Sequence, residues 1–118
     1  MGVNDILAED FQITVDEYLK RNRNVLDCMS KYQTASARLS RAITKASTQC
    51  GCVAIEGKPK TGGIEGALCD DCREVIENEM GDAVFYLTAL CNALDINLYD
   101  VLLKEKKNLS LLGNFSLK

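Results

Sequence analysis

The sequence predicts an all-α fold, an antiparallel bundle of four helices forming one domain over residues 1–118. Three observations predict it. Apolar residues recur at helical spacing in four stretches of the chain. One clear loop, Gly57-Lys58-Pro59-Lys60-Thr61-Gly62-Gly63, interrupts them and holds the only proline. No stretch shows the polar–apolar alternation of a convincing strand. The 118 residues are 47% hydrophobic and 26% charged, a balance that suits a globular domain with a modest core and argues against disorder.

Thr14 and Glu17 have the spacing of a capping box, and Val15, Tyr18, Leu19, Leu26, Met29 and Tyr32 follow at helical intervals. They place helix 1 from Val15 to Tyr32, after a short helical turn in Asn4 to Phe11. A second helix is expected over Ala35 to Ala54, with Leu39, Ala42, Ile43, Ala46, Cys50 and Val53 on one side and a break at Gln33-Thr34. The glycine-rich loop comes next and extends to Gly66. It lacks the spacing and the preceding strand of a phosphate-binding loop. Helix 3 is expected from Cys69-Asp70 to Leu94, where two aspartates suit the positive end of the helix dipole. Its broad apolar stripe, Val75, Ile76, Met80, Val84, Leu87, Cys91 and Leu94, predicts a central helix or an oligomer interface. Asn97, with Asp100 three residues on, caps helix 4, and Gly113 stops it.

Composition excludes several chemistries. With no histidine, neither a Ser-His-Asp nor a Cys-His catalytic pair is available, nor a histidine-ligated metal. The N-terminus is acidic where a signal peptide would be basic, and no apolar run is long enough to span a bilayer. The expected location is therefore cytoplasmic, without membrane contact. Charge is segregated. Residues 28–55 contain no acid but carry Lys31, Arg38, Arg41 and Lys45, whereas residues 64–100 hold nine acids against Arg73 alone. Complementary helix faces are the plain reading of this pattern. A nucleic-acid surface is poorly supported at a sequence pI near 4.9.

The cysteines are the most informative residues. Cys50 and Cys52 lie at the end of helix 2, Cys69 and Cys72 at the start of helix 3, with sixteen residues between the pairs. The intervening loop brings two helix ends together, the arrangement of a four-thiolate site. Zinc prefers four tetrahedral ligands and accepts thiolates readily. A closed site of this kind is structural, because it keeps no open coordination position. Three other readings stay open: unliganded core cysteines, a disulfide or thiol switch within a pair, and an iron–sulfur cluster. Cys28 and Cys91 fall on apolar helix faces and read as small core residues.

Helix 3 also carries Glu79 and Asp82, three residues apart and so neighbours on one face. The string Glu79-Met80-Gly81-Asp82-Ala83-Val84-Phe85-Tyr86-Leu87, followed by Leu94-Asp95-Ile96-Asn97-Leu98, resembles the second half of the MazG-like all-α nucleoside triphosphate pyrophosphohydrolases. The resemblance covers about forty residues, Asp71 to about Leu109. It implies a MazG-like four-helix bundle, a nucleotide ligand, a homodimer or higher homo-oligomer, and Mg²⁺ held by the ExxD pair Glu79 and Asp82. Lys45 and Arg41 would contact phosphate. In that family an EExxE motif on the preceding helix completes the Mg²⁺ site, and here residues 28–55 hold no carboxylate. The expected function is thus a MazG-like helical module with a structural zinc site of four cysteines, binding nucleotide or acting in regulation, without the usual Mg²⁺-dependent catalysis. The alternative is an active Mg²⁺-dependent pyrophosphohydrolase, with Glu74 or Glu77 as additional ligands. A thiol-based sensor, in which oxidation of the cysteine pairs expels the metal, is a third.

Overall fold

Asn24 begins the helical run that leads to the cysteines. In a computed structural model of the protein, which describes residues 3–19, 24–55 and 64–112, its side-chain oxygen accepts a hydrogen bond from the Asp27 backbone N–H at 2.8 Å. Its amide donates to the Asp27 carboxylate at 2.7 Å. Asn24 is thus the N-cap of a 21-residue helix. The described elements, in order, are α1 (Val3–Tyr18), α2 (Val25–Lys45), a π-helical turn (Ala46–Cys50), β1 (Val53–Ile55), β2 (Ile64–Gly66), α3 (Asp70–Ala93) and α4 (Leu98–Leu112). The described residues are mostly helical, and no helix among them is long and apolar enough to cross a membrane.

Helices 3 and 4 lie where the sequence placed them, but the first half of the chain differs. Helix 1 does not run from Val15 to Tyr32. Ala8 and Val15 are buried and Phe11 is half-buried between them, a 3-and-4 spacing that carries α1 well upstream of Thr14. Thr14 is therefore no cap; its hydroxyl donates to the Asp10 carbonyl at 2.8 Å inside the helix. Nor does a break occur at Gln33-Thr34, where the Thr34 hydroxyl donates to the Ser30 carbonyl within continuous α2. The second helix does not reach Ala54, because β1 begins at Val53. The hairpin also corrects the expectation of no strand and places Gly66 in β2 rather than in the loop. The loop Gly57–Gly63 and the stop at Gly113 lie outside the described residues.

The chain divides into two compact units: Met1–Cys28 with Leu87–Lys118, and Met29–Tyr86. In the first, α1 contacts α4, and Ala8, Val15, Cys28, Thr88, Ala89, Cys91 and Leu98 are buried. Burial, and then the charge of Asp27, raises the pKa of Cys28; burial likewise raises that of Cys91. Both behave as core thiols. The end of α3 is closed by a Schellman motif: Ile96 N–H donates to the Cys91 carbonyl at 2.8 Å and Asp95 N–H to the Asn92 carbonyl at 3.3 Å. Asp95 occupies the left-handed position with φ 56°. One side chain ties this turn to α1. Gln12 donates to the Asn92 side-chain oxygen at 2.9 Å and to the Ile96 carbonyl at 2.7 Å, and accepts from the Leu98 N–H at 2.8 Å. Asn97 supplies the cap of α4, accepting from the Asp100 N–H at 3.0 Å.

The second unit has a small core. Ala46 of the π turn, Val53 of β1 and Ile76 of α3 are buried together, and Leu39, Ala42, Ile43, Leu68 and Cys72 pack around them. The hairpin is antiparallel, pairing Val53 with Gly66, Ala54 with Glu65 and Ile55 with Ile64. Gly66 has φ +90°, and a Cβ there would meet the Cys52 carbonyl oxygen at 2.7 Å. Only glycine fits so close an approach with that backbone.

Candidate metal centre

Three local devices bring four sulfurs together. The first is the π turn, closed by the Gly51 N–H donating to the Ala46 carbonyl at 2.8 Å. Gly51, at φ 82°, then ends the helical run and reverses the chain between Cys50 and Cys52. The second is the hairpin, whose Val53–Gly66 pair sets Cys52 and Cys69 beside each other although seventeen positions separate them in the chain. The third is the start of α3. Cys69 immediately precedes the helix, and its sulfur accepts the Cys72 backbone N–H at 3.4 Å, in the manner of an N-cap.

The sulfurs of Cys50, Cys52, Cys69 and Cys72 all lie within 4.8 Å of one another, a grouping that can hold a metal ion. Cys50 and Cys69 have sulfurs 3.8 Å apart. That separation is far beyond a disulfide bond, at about 2.05 Å. It equals the edge, about 3.8 Å, of a tetrahedron whose corners stand 2.3 Å from a central ion. The Cys52 thiol is 3.8 Å from the Ala46 carbonyl oxygen. Cys50 is exposed and the other three are half-buried. Their acidities diverge. The Cys72 N–H, followed by the Cys72 side chain, lowers the pKa of Cys69, while the Cys69 sulfur, followed by desolvation, pushes that of Cys72 well above the ordinary thiol range. Thiolates crowded this closely repel one another, so a full set of four is sustained only by a cation among them.

The other residues singled out from the sequence fall into four settings. Asp82 is exposed and shares with Lys31, Thr34, Arg38, Phe85 and Tyr86 a hollow of about 290 Å³ between α2 and α3. Glu79 is half-buried; its Oε2 is shielded from solvent and has no hydrogen-bond partner among the described residues. Lys45 lines a second, smaller hollow beside Cys50, Asp71 and Cys72, of about 240 Å³. Arg41 is exposed and lines neither hollow, and Glu74 and Glu77 are exposed as well. The expected pairing of basic α2 with acidic α3 does not occur as direct contact: no ion pair joins Lys31, Arg38, Arg41 or Lys45 to an acid of α3 among the described residues.

Sequence reasoning passed over Lys31 and Arg38 as site residues. Their separation of seven positions, two helical turns, was the available signal, since it sets both on one face of α2. It likewise passed over Gln12, for which composition and spacing give no signal at all. No protein-family model matches this chain, and no curated protein or solved structure is detectably similar to it.

Proposed function

We propose that this protein is a helical module, MazG-like in its second half, whose second unit is built around one structural Zn²⁺ bound by Cys50, Cys52, Cys69 and Cys72. On this reading it serves nucleotide binding or regulation rather than the usual Mg²⁺-dependent hydrolysis. The observation that carries the metal assignment is the mutual approach of the four sulfurs within 4.8 Å. A single ion suits that spread, because the cysteines of an iron–sulfur cluster bind different irons and stand farther apart. Four sulfur ligands also favour zinc over hard, oxygen-seeking ions. The zinc offsets the smallness of a core made of Ala46, Val53 and Ile76. The absence of acids from residues 28–55 supports a non-catalytic role. Exposed Met80 and Leu87 on α3, with Leu94 just after it, support assembly as a homodimer or larger homo-oligomer.

The test is metal analysis of protein purified without chelator. One zinc per chain is expected, with loss in the double variant Cys69→Ser/Cys72→Ser. Less than half a zinc, or iron in its place, overturns the assignment.

One observation favours a second reading. The shielded Glu79 oxygen without a partner is costly unless something pairs with it, and Asp82 lies one turn further along α3. In an active Mg²⁺-dependent pyrophosphohydrolase these two carboxylates would hold the ion. Pyrophosphate release from a nucleoside triphosphate, dependent on Mg²⁺ and abolished in Asp82→Asn, would establish that reading. No turnover across a broad nucleotide panel would dispose of it.

A further inference from the structure

We propose that the hollow between α2 and α3 is a binding site for a small anion bearing a flat ring, recognised by Lys31, Arg38, Phe85 and Tyr86. It shares no residue with the four-cysteine centre and stands independently of the metal assignment.

The argument begins with helix geometry. Lys31, Thr34 and Arg38 occupy positions i, i+3 and i+7 of α2, a single face on which the two cations are about 10 Å apart along the axis. Both are exposed. The wall between them is Ala35, buried and small, which leaves room for a ligand. From α3 come Asp82, Phe85 and Tyr86. The two rings meet at nearly a right angle, centroids 5.0 Å apart and planes at 88°. Packed edge to face on each other, they give the hollow an aromatic wall against which a third ring can pack.

The electrostatics specify the remaining chemistry. The whole chain carries a formal charge of −3, yet this hollow has two cations against one carboxylate and is locally positive. Neither cation is paired to an acid of α3 among the described residues. A phosphate or carboxylate would be drawn to Lys31 and Arg38, with Arg38 able to make a bidentate contact and the Thr34 hydroxyl to donate a hydrogen bond. Asp82 repels the anionic end and so orients it away from α3. It leaves an acceptor for a hydroxyl or amino group on the ring. The volume, about 290 Å³, is close to the lower limit for small-molecule pockets and fits one ring with one anionic substituent.

Titration of ¹⁵N-labelled protein with phenyl phosphate, compared with inorganic phosphate and with phenol, tests this. Phenyl phosphate should give saturable shifts at the amides of Thr34, Ala35, Arg38, Phe85 and Tyr86. It should bind about tenfold more tightly than either fragment, the gain from joining two modest contacts of about 1.4 kcal/mol. Arg38→Gln and Lys31→Gln, both on the exposed face of α2, should each weaken binding about tenfold. Lys104→Gln, on α4, should leave it unchanged. The proposal fails if phenyl phosphate produces no shift at these amides. It fails equally if inorganic phosphate matches phenyl phosphate, or if both α2 variants bind like the parent protein.

Discussion

The two units fasten their chain segments in opposite ways. In the first, one neutral side chain does it: Gln12 of α1 reaches the carbonyl of Ile96 and the N–H of Leu98, on either side of the turn into α4. In the second, four thiols converge from the end of the π turn and the start of α3. An amide has both donors and acceptors and completes its bonds with the protein alone. A thiol is a weak donor and a weak acceptor, so four of them gain little from one another without a cation. The first fastening is therefore indifferent to metal supply, and the second, on the proposed reading, depends on it.

The largest expected effect follows directly. A strong chelator, or the Cys69→Ser/Cys72→Ser pair, should cost the second unit about 5 kcal/mol or more, given the affinity of four-ligand zinc sites. Hydrogen exchange should show amides in residues 29–55 and 64–86 losing protection before those of α1 and α4. Equal loss in both units would erase the contrast. Next comes Gly66→Ala. Its Cβ would collide with the Cys52 carbonyl at a positive φ, and a destabilisation of about 3 kcal/mol is expected in thermal unfolding, with weaker zinc retention because Cys52 is displaced. The counterpart in the first unit is Gln12→Ala. It strips partners from Ile96 and from the N–H of buried Leu98 and should cost about 2 kcal/mol, leaving metal content unchanged. The smallest effect is a gain: Asp95→Gly relieves a left-handed aspartate and should stabilise by about 0.5 kcal/mol in denaturant titration.

How much of this could be read beforehand depended on whether the signal was local. Helices α3 and α4 were legible because a long apolar period and a strong cap, Asn97, agreed with each other. The cysteine spacing announced the cluster for a similar reason: few other arrangements place two close pairs around one loop. The start of the chain misled because Thr14 and Glu17 carry the letters of a capping box inside a helix already running. Burial of Ala8 and Val15 decided the matter, and burial is a tertiary fact. Strands of three residues, such as Val53–Ile55 and Ile64–Gly66, are too short for alternation to declare itself. The hollow lined by Lys31 and Arg38 needed α2 and α3 to be set side by side, which no one-dimensional pattern encodes.

The π turn has a consequence for how this chain tolerates insertion and deletion. Its ring closes from Gly51 N–H to the Ala46 carbonyl, five residues apart, so it contains one residue more than an α-turn. Deleting any one of Ser47, Thr48 or Gln49 would let the segment relax into ordinary α-helix and keep every cysteine. Five steps of a π turn and four of an α-helix wind the chain by nearly the same angle, so Cys50 would keep its direction relative to Lys45. The centre thus tolerates the loss of a codon inside this turn, whereas an inserted one would swing Cys50 by about 100° around the helix axis. The turn has already absorbed the one spare residue that the phase of the sulfurs allows.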